Sequence, residues 1–152
     1  MHDNEYIAPC GMNCLLCMAF QRSKNHCPGC NFPDHNKSGS CLACIIKNCD
    51  KLQLTTTGFC FTFSKFSYRR LKQLDLRYCT KYGMSMIENL HTIEKVGINK
   101  FIEMEKRKWS CSSCGSLLSV HRGNCLNCGN QNKMFPFENH IRRGVKTDGM
   151  KT

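Results

Sequence analysis

Five Cys-x-x-Cys pairs stand out along the chain: Cys14/Cys17, Cys27/Cys30, Cys41/Cys44, Cys111/Cys114 and Cys125/Cys128. Two residues between cysteines put both sulfurs on one side of a tight turn, a spacing that chelates thiophilic metals. Ten residues separate the last two pairs, a gap that suits a short hairpin. Cys111, Cys114, Cys125 and Cys128 then supply four thiolates for a tetrahedral Zn²⁺. Gly115 and Gly129 follow these pairs, where a positive φ lets backbone N–H groups turn toward sulfur. The pattern reads as a zinc ribbon, with Leu117 to His121 forming a strand and His121 a strand residue rather than a ligand. About twenty residues bury too little apolar area to stand alone, so the ribbon is expected to fold only with its metal.

The first sixty residues hold nine further cysteines: Cys10, Cys14, Cys17, Cys27, Cys30, Cys41, Cys44, Cys49 and Cys60. Two pairings compete for them. Cys14/Cys17 with Cys27/Cys30 makes one compact site and leaves Cys41, Cys44, Cys49 and Cys60 for a second. Cys27/Cys30 with Cys41/Cys44 repeats the C-terminal spacing and leaves Cys10, Cys14, Cys17 and a later thiol together. Shorter loops favour the first, although connectivity is not fixed by spacing. Two or three zinc ions are expected in all, and an iron–sulfur cluster is the alternative in the head, because four cysteines serve either.

Cys10 reads as a spare ligand or a reactive group beside a metal. His26 and His35 flank Cys27/Cys30 as exposed loop residues that could replace a cysteine, and Cys79 reads as a buried small hydrophobe. Cys10, Cys14 and Cys17 also have the three-then-two spacing of radical S-adenosylmethionine enzymes. A full barrel takes about 250 residues, more than this chain has, so that reading is set aside. There is no Gly-rich phosphate loop and no paired helical histidine motif. No reaction is assigned, and the sequence leans away from an enzyme.

These ligands need elements to hold them. The middle of the chain is predicted to be helical from Lys65 to Tyr82, because Tyr68, Leu71, Leu74, Tyr78, Cys79 and Tyr82 share one arc at 100° per residue. Lys65, Arg69, Arg70, Lys72, Arg77 and Lys81 cover the other half, a candidate nucleic-acid-binding face, and Asp75 alone interrupts the charge. Gly83 ends this helix. Ser85 and Glu88 have the spacing of a capping box that starts a second helix, which stops at Gly97. A short third helix follows with Asn99 as N-cap, and Lys106, Arg107 and Lys108 lie in its last turn, where cations favour the dipole.

The expected architecture is a small metal-stabilised α+β fold. A cysteine-rich zinc-binding head spans 1–61, a helical segment at 62–108 packs on it, the zinc ribbon occupies 109–130, and a loosely ordered basic tail runs over 131–152.

The chain has 152 residues, 14 of them cysteine, with 22 Lys and Arg against 11 Asp and Glu. That cysteine content excludes an ordinary globular enzyme held mainly by an apolar core. The net charge of +11 is uneven, about +1 over residues 1–60, +6 over 61–110 and +4 over 111–152. Three Cys₄ zinc centres, each carrying −2, would still leave about +5. The start is polar and acidic, unlike a secretory signal. Neither Cys14–Phe20 nor Cys41–Ile46 approaches the about 20 apolar residues of a membrane span. A cytoplasmic location without membrane contact is expected, and in a reducing cytosol Cys-x-x-Cys pairs favour metal over disulfides.

Several stretches add up to a likeness: Ile7-Ala-Pro-Cys10-Gly-Met-Asn-Cys14-Leu-Leu-Cys17, Cys27-Pro-Gly-Cys30, Cys41-Leu-Ala-Cys44-Ile-Ile-Lys-Asn-Cys49, and Leu71-Lys-Gln-Leu-Asp through Tyr82. Together they resemble the cysteine-rich prokaryotic family catalogued as domain of unknown function thirty-seven ninety-five, over roughly residues 6–109. The Lys81–Leu90 segment followed by a ribbon looks like one of its subgroups. The resemblance implies metal binding and assigns no reaction. Members carry two further cysteines where this chain has Phe63 and Tyr68, which implies that one head site is incomplete, is completed by Cys10 or a histidine, or is lost. The basic helix and tail, with the ribbon, point to a non-enzymatic module contacting RNA or a nucleoprotein. The alternatives are an iron–sulfur redox or sensor protein and a protein-binding adaptor.

Overall fold

A computed structural model describes residues 3–49, 58–60 and 69–138. The predicted helix start at Lys65, the departures at Phe63 and Tyr68, and the tail beyond 138 lie outside the described residues. The head folds as loops around two single-turn 3₁₀ segments, Asp3–Tyr6 and Cys14–Leu16, and two one-turn helices, α1 (Met18–Gln21) and α2 (Gly39–Leu42). Three longer helices follow: α3 (Arg69–Tyr82), α4 (Met86–Val96) and α5 (Ile98–Lys108). Each packs on the next in sequence, and α5 also meets the Asp3–Tyr6 turn, where Lys106 pairs with Asp3.

The periodicity of α3 places Leu71 fully inside, with Leu74 and Tyr78 packed against the same core. Helix α4 is capped by Ser85, whose Oγ accepts the Glu88 N–H at 3.0 Å. Asp75 Oδ1 reaches across from α3 to accept the Ser85 hydroxyl at 2.8 Å and the Ile87 N–H at 3.0 Å. The lone acid of the basic helix thus faces α4. Cys79, one turn further along, is exposed and turns its thiol to Asp75 Oδ2 at 3.6 Å. It is not the buried hydrophobe its place on the wheel suggested, because the seam at that level is taken by the Asp75–Ser85 contact. The N-cap of α5 is Gly97 rather than Asn99. Gly97 N–H closes α4 on Ile93 O at 2.9 Å while its carbonyl accepts Phe101 N–H at 3.1 Å, so one residue ends a helix and starts the next.

One apolar core runs through the head, the helices and the C-terminal unit, joining Met12 and Leu16 to Leu71, Met86 and Leu90 and to Trp109, Leu118 and Val120. Gly11 lets the head approach. Its φ is +91°, and a Cβ there would lie 2.7 Å from Met86 O, so the Cys10–Met12 loop rests directly on α4. Buried Asn89 donates to Gly11 O at 3.0 Å and fixes the contact.

The strands expected of an α+β fold do not form among the described residues. Pairing is confined to three isolated bridges, Ile7–Asn13, Ser110–Leu117 and Asn124–Gln131. The predicted strand at Leu117–His121 spends its hydrogen bonds on other partners: Leu118 N–H donates to Trp109 O at 2.7 Å, Val120 N–H to Leu16 O at 2.9 Å, and Ser119 Oγ also to Leu16 O. The N–H groups of Leu118 and Val120 are thus taken by the end of α5 and by the head, which leaves neither for a hairpin with the second turn. Residues 131–138 likewise join the packed structure, with Asn132 and Phe135 buried.

Candidate metal centre

The four C-terminal cysteines converge. Every Sγ of Cys111, Cys114, Cys125 and Cys128 lies within 4.8 Å of the other three, with Cys111–Cys128 and Cys114–Cys125 each at 3.6 Å. Thiolates about 2.3 Å from a tetrahedral zinc stand about 3.8 Å apart, so the observed spacing fits a four-sulfur ion site.

Two turns of the same design build it. Cys111 N–H donates to Ser116 O and Gly115 N–H to Cys111 O; fourteen residues on, Cys125 N–H donates to Asn130 O and Gly129 N–H to Cys125 O, all at 2.7–2.9 Å. The bridges Ser110–Leu117 and Asn124–Gln131 close the two turns at the same offset. In each turn the first cysteine is buried and the second exposed. The sequence signal for this repeat is Cys-x-x-Cys-Gly followed by Ser116 or Asn130. Gly115 and Gly129, at φ +76° and +80°, direct their own N–H groups to carbonyls, and the residues after them serve the sulfurs.

Ser116 N–H points to Cys114 Sγ and Asn130 N–H to Cys128 Sγ, while Ser113 and Cys114 N–H groups point to Cys111 Sγ. The side chains of Asn127 and Ser116 also donate to Cys114 Sγ and, with the Ser116 N–H, pull that thiol down to about 5. Backbone donors from Cys114 and Ser113 lower Cys111 as well. Donors aimed at Cys111 and Cys114 favour their thiolates, whereas, against the Asn130 N–H, burial and the three neighbouring thiols push Cys128 up to about 12. Nothing in the spacing of the cysteines singles out Asn127, which reaches Cys114 only when the two turns face each other, whereas Ser116 serves the cysteine two residues before it.

His121 stays outside this centre. Its Nδ1 accepts the Met18 N–H at 3.2 Å, which leaves the proton on Nε2 facing the Tyr78 hydroxyl at 3.1 Å. Burial, with the Arg122 charge, holds the ring neutral down to about 4. It sits in a turn, where a strand was expected.

The head thiols are gathered more loosely. Cys10, Cys14 and Cys60 are buried, Cys17, Cys27, Cys30, Cys44 and Cys49 half-buried, and Cys41 exposed. Among the described residues, the C-terminal quartet is the one group of three or more donors that all lie within 4.8 Å of one another. His26 and His35 are exposed, and His26 Nδ1 is engaged by Phe20 O at 2.9 Å.

On α3, Arg69, Arg70, Lys72 and Arg77 are exposed and Lys81 is half-buried. Arg70 and Arg77 line a shallow groove of about 330 Å³ together with Ser40, Ile45 and Leu74. Among the described residues, no helix is long and apolar enough to cross a membrane.

Models of known protein families, curated proteins and solved structures show no match to this chain. What defines it is its own geometry: a small, mostly helical, cysteine-rich protein with a four-thiol cluster able to hold a metal ion.

Proposed function

We propose that the chain is a zinc protein whose C-terminal quartet carries a structural Zn²⁺, and that it works as a non-enzymatic module contacting RNA or a nucleoprotein. The observation that carries the metal reading is the convergence of four Sγ atoms at tetrahedral spacing. Four thiolates fill the coordination sphere of zinc and leave no open position for substrate or water, which favours a structural over a catalytic ion. Cys111 and Cys125 belong to the same core as Trp109 and Leu118, so an ion there would tie the C-terminal turns to the helices. Native mass spectrometry of the full chain tests it: wild type should carry zinc, and Cys111→Ser with Cys128→Ser should carry one ion fewer. An unchanged count would remove the assignment.

The RNA reading rests on α3. Arg69, Arg70, Lys72 and Arg77 point outward without an ion-pair partner among the described residues, while Asp75 is turned inward to cap α4. An outward face with no acid on it is suited to phosphates. Log affinity for a single-stranded RNA should fall with log salt by about 0.7 per phosphate contact, and Arg69→Glu with Arg70→Glu should flatten that slope at unchanged metal content. Equal weak binding by both proteins would leave the adaptor reading in its place.

A further inference from the structure

The head offers a second place for a metal, and its thiols are not grouped as the chain order suggests. In the first pairing Cys14 and Cys30 share one ion with Cys17 and Cys27; in the second Cys14 stays with Cys17 while Cys30 stays with Cys27. The fold brings Cys14 to Cys30, as the first pairing has it, but sets Cys17 and Cys27 apart from them. Cys14 Sγ accepts the Cys30 N–H at 3.4 Å, which sets the two thiols beside each other. Cys10, on the loop that lies against α4, belongs to the same buried cluster as Cys14 and Cys60, which are 8%, 4% and 0% exposed. Cys60 N–H donates to Pro9 O at 3.0 Å, setting Cys60 beside Cys10. The thiols close enough to Cys10 to interact with it include Cys14, Cys30, Cys60 and Cys44, of which Cys60 is the most buried. Cys17 looks the other way. Its sulfur receives the Ala19 and Phe20 N–H groups, and its thiol neighbours are Cys27 and Cys41. Cys27 is drawn there by its N–H bond to Ala19 O at 2.8 Å.

We propose that Cys10, Cys14, Cys30 and Cys60 form an interior tetrathiolate site in the head, so that Cys14/Cys17 and Cys27/Cys30 are each divided between two sides of the head. The proposal rests on the reading that this chain's thiols hold metal, extended to a second centre. No three of these sulfurs stand within 4.8 Å of one another as the C-terminal ones do, so loading requires the thiols to close in on the ion. Four cysteines suit either Zn²⁺ or an iron–sulfur cluster. A buried set of thiolates is tolerable only with a cation among them, so loading releases protons.

The test uses the full chain, purified without oxygen and loaded with Zn²⁺ or with iron and sulfide. Native mass spectrometry counts the ions, and alkylation followed by peptide mapping shows which thiols are protected. Cys14→Ser, Cys30→Ser and Cys60→Ser should each lose the same head ion, whereas Cys17→Ser should keep it. In wild type, Cys10, Cys14, Cys30 and Cys60 should be protected together and become reactive together when a chelator is added. The wild-type map decides the matter even if a variant fails to fold. Loss of the head ion in Cys17→Ser, its retention in Cys60→Ser, or protection of Cys14 in step with Cys17 overturns the assignment. If only the C-terminal quartet binds an ion, the head site is wrong and the C-terminal centre stands; if neither binds, both fall. A colourless zinc adduct and a coloured species with acid-labile sulfide separate the two kinds of centre.

Discussion

Glu105 is an acid only 4% exposed, and its Oε2 has no hydrogen-bond partner among the described residues. Burial raises it from 4.5 to about 6, against the pull of Lys108 and a hydrogen bond from Asn13, with Glu88 adding to the rise. A carboxyl raised on folding binds its proton more tightly in the native state. It therefore costs stability above pH 6, and that cost disappears as pH falls through 6 toward 4.5. A rise of about 1.5 units corresponds to about 2 kcal/mol. Glu105→Gln should be more stable than wild type by up to that amount at pH 7.5, with the difference shrinking by pH 5, as read from paired urea melts. Equal stability at both values would show that the carboxyl is solvated. His121 makes a complementary case. It is polar, half-buried and bonded at both nitrogens, so His121→Ala should cost about 1–3 kcal/mol. It should leave the zinc count unchanged, and a lost ion would instead make His121 a ligand.

Among the elements, α4 depends on its neighbour for its first turn. Ser85 supplies the expected cap to Glu88, and Asp75 supplies a second acceptor to Ile87 while holding the Ser85 hydroxyl. Asp75→Ala should therefore cost about 0.5–2 kcal/mol in chemical denaturation, the loss of a helix cap, although in sequence it is a lone acid among cations. If Asp75→Ala were neutral, the cap would be Ser85's alone. The C-terminal turns show the reverse dependence. Their local form follows from Cys-x-x-Cys-Gly, so Gly115→Ala, which strains a φ of +76°, should weaken zinc retention against a competing chelator, while Gly39→Ala, with open space around its Cβ, should not.

For the molecule as a whole, the continuous core predicts that metal loss is felt far from the sulfurs. Trp109 is the chain's one tryptophan; it is 0% exposed and sits two residues before Cys111. Chelation of the zinc-loaded protein should shift Trp109 emission to the red and added zinc should reverse it, because the ion would close the turns that begin two residues after Trp109 and share its core. An unmoved spectrum would mean that the packing of Leu118 and Val120 suffices without the ion.

Features set within a few residues are legible in the amino-acid sequence by itself. The three helices, the Ser85 cap and the chelating turns depend on neighbours one to five positions away, and side-chain period and turn chemistry encode such neighbours directly. Asn99 failed as a cap because Gly97 serves two helices at once, a choice made by how α4 and α5 pack. The strand at 117–121 failed because Leu118 N–H is taken by Trp109 O and Val120 N–H by Leu16 O, the latter about a hundred residues away. The same holds for the inward turn of Asp75 and the exposure of Cys79. Each depends on which loops come together, and a Cys-x-x-Cys spacing is identical whether its two sulfurs look at one ion or at opposite sides of the head. Spacing fixes only the local turn; the partners across it are chosen by the burial of Cys10, Leu16 and Leu71 in a common core.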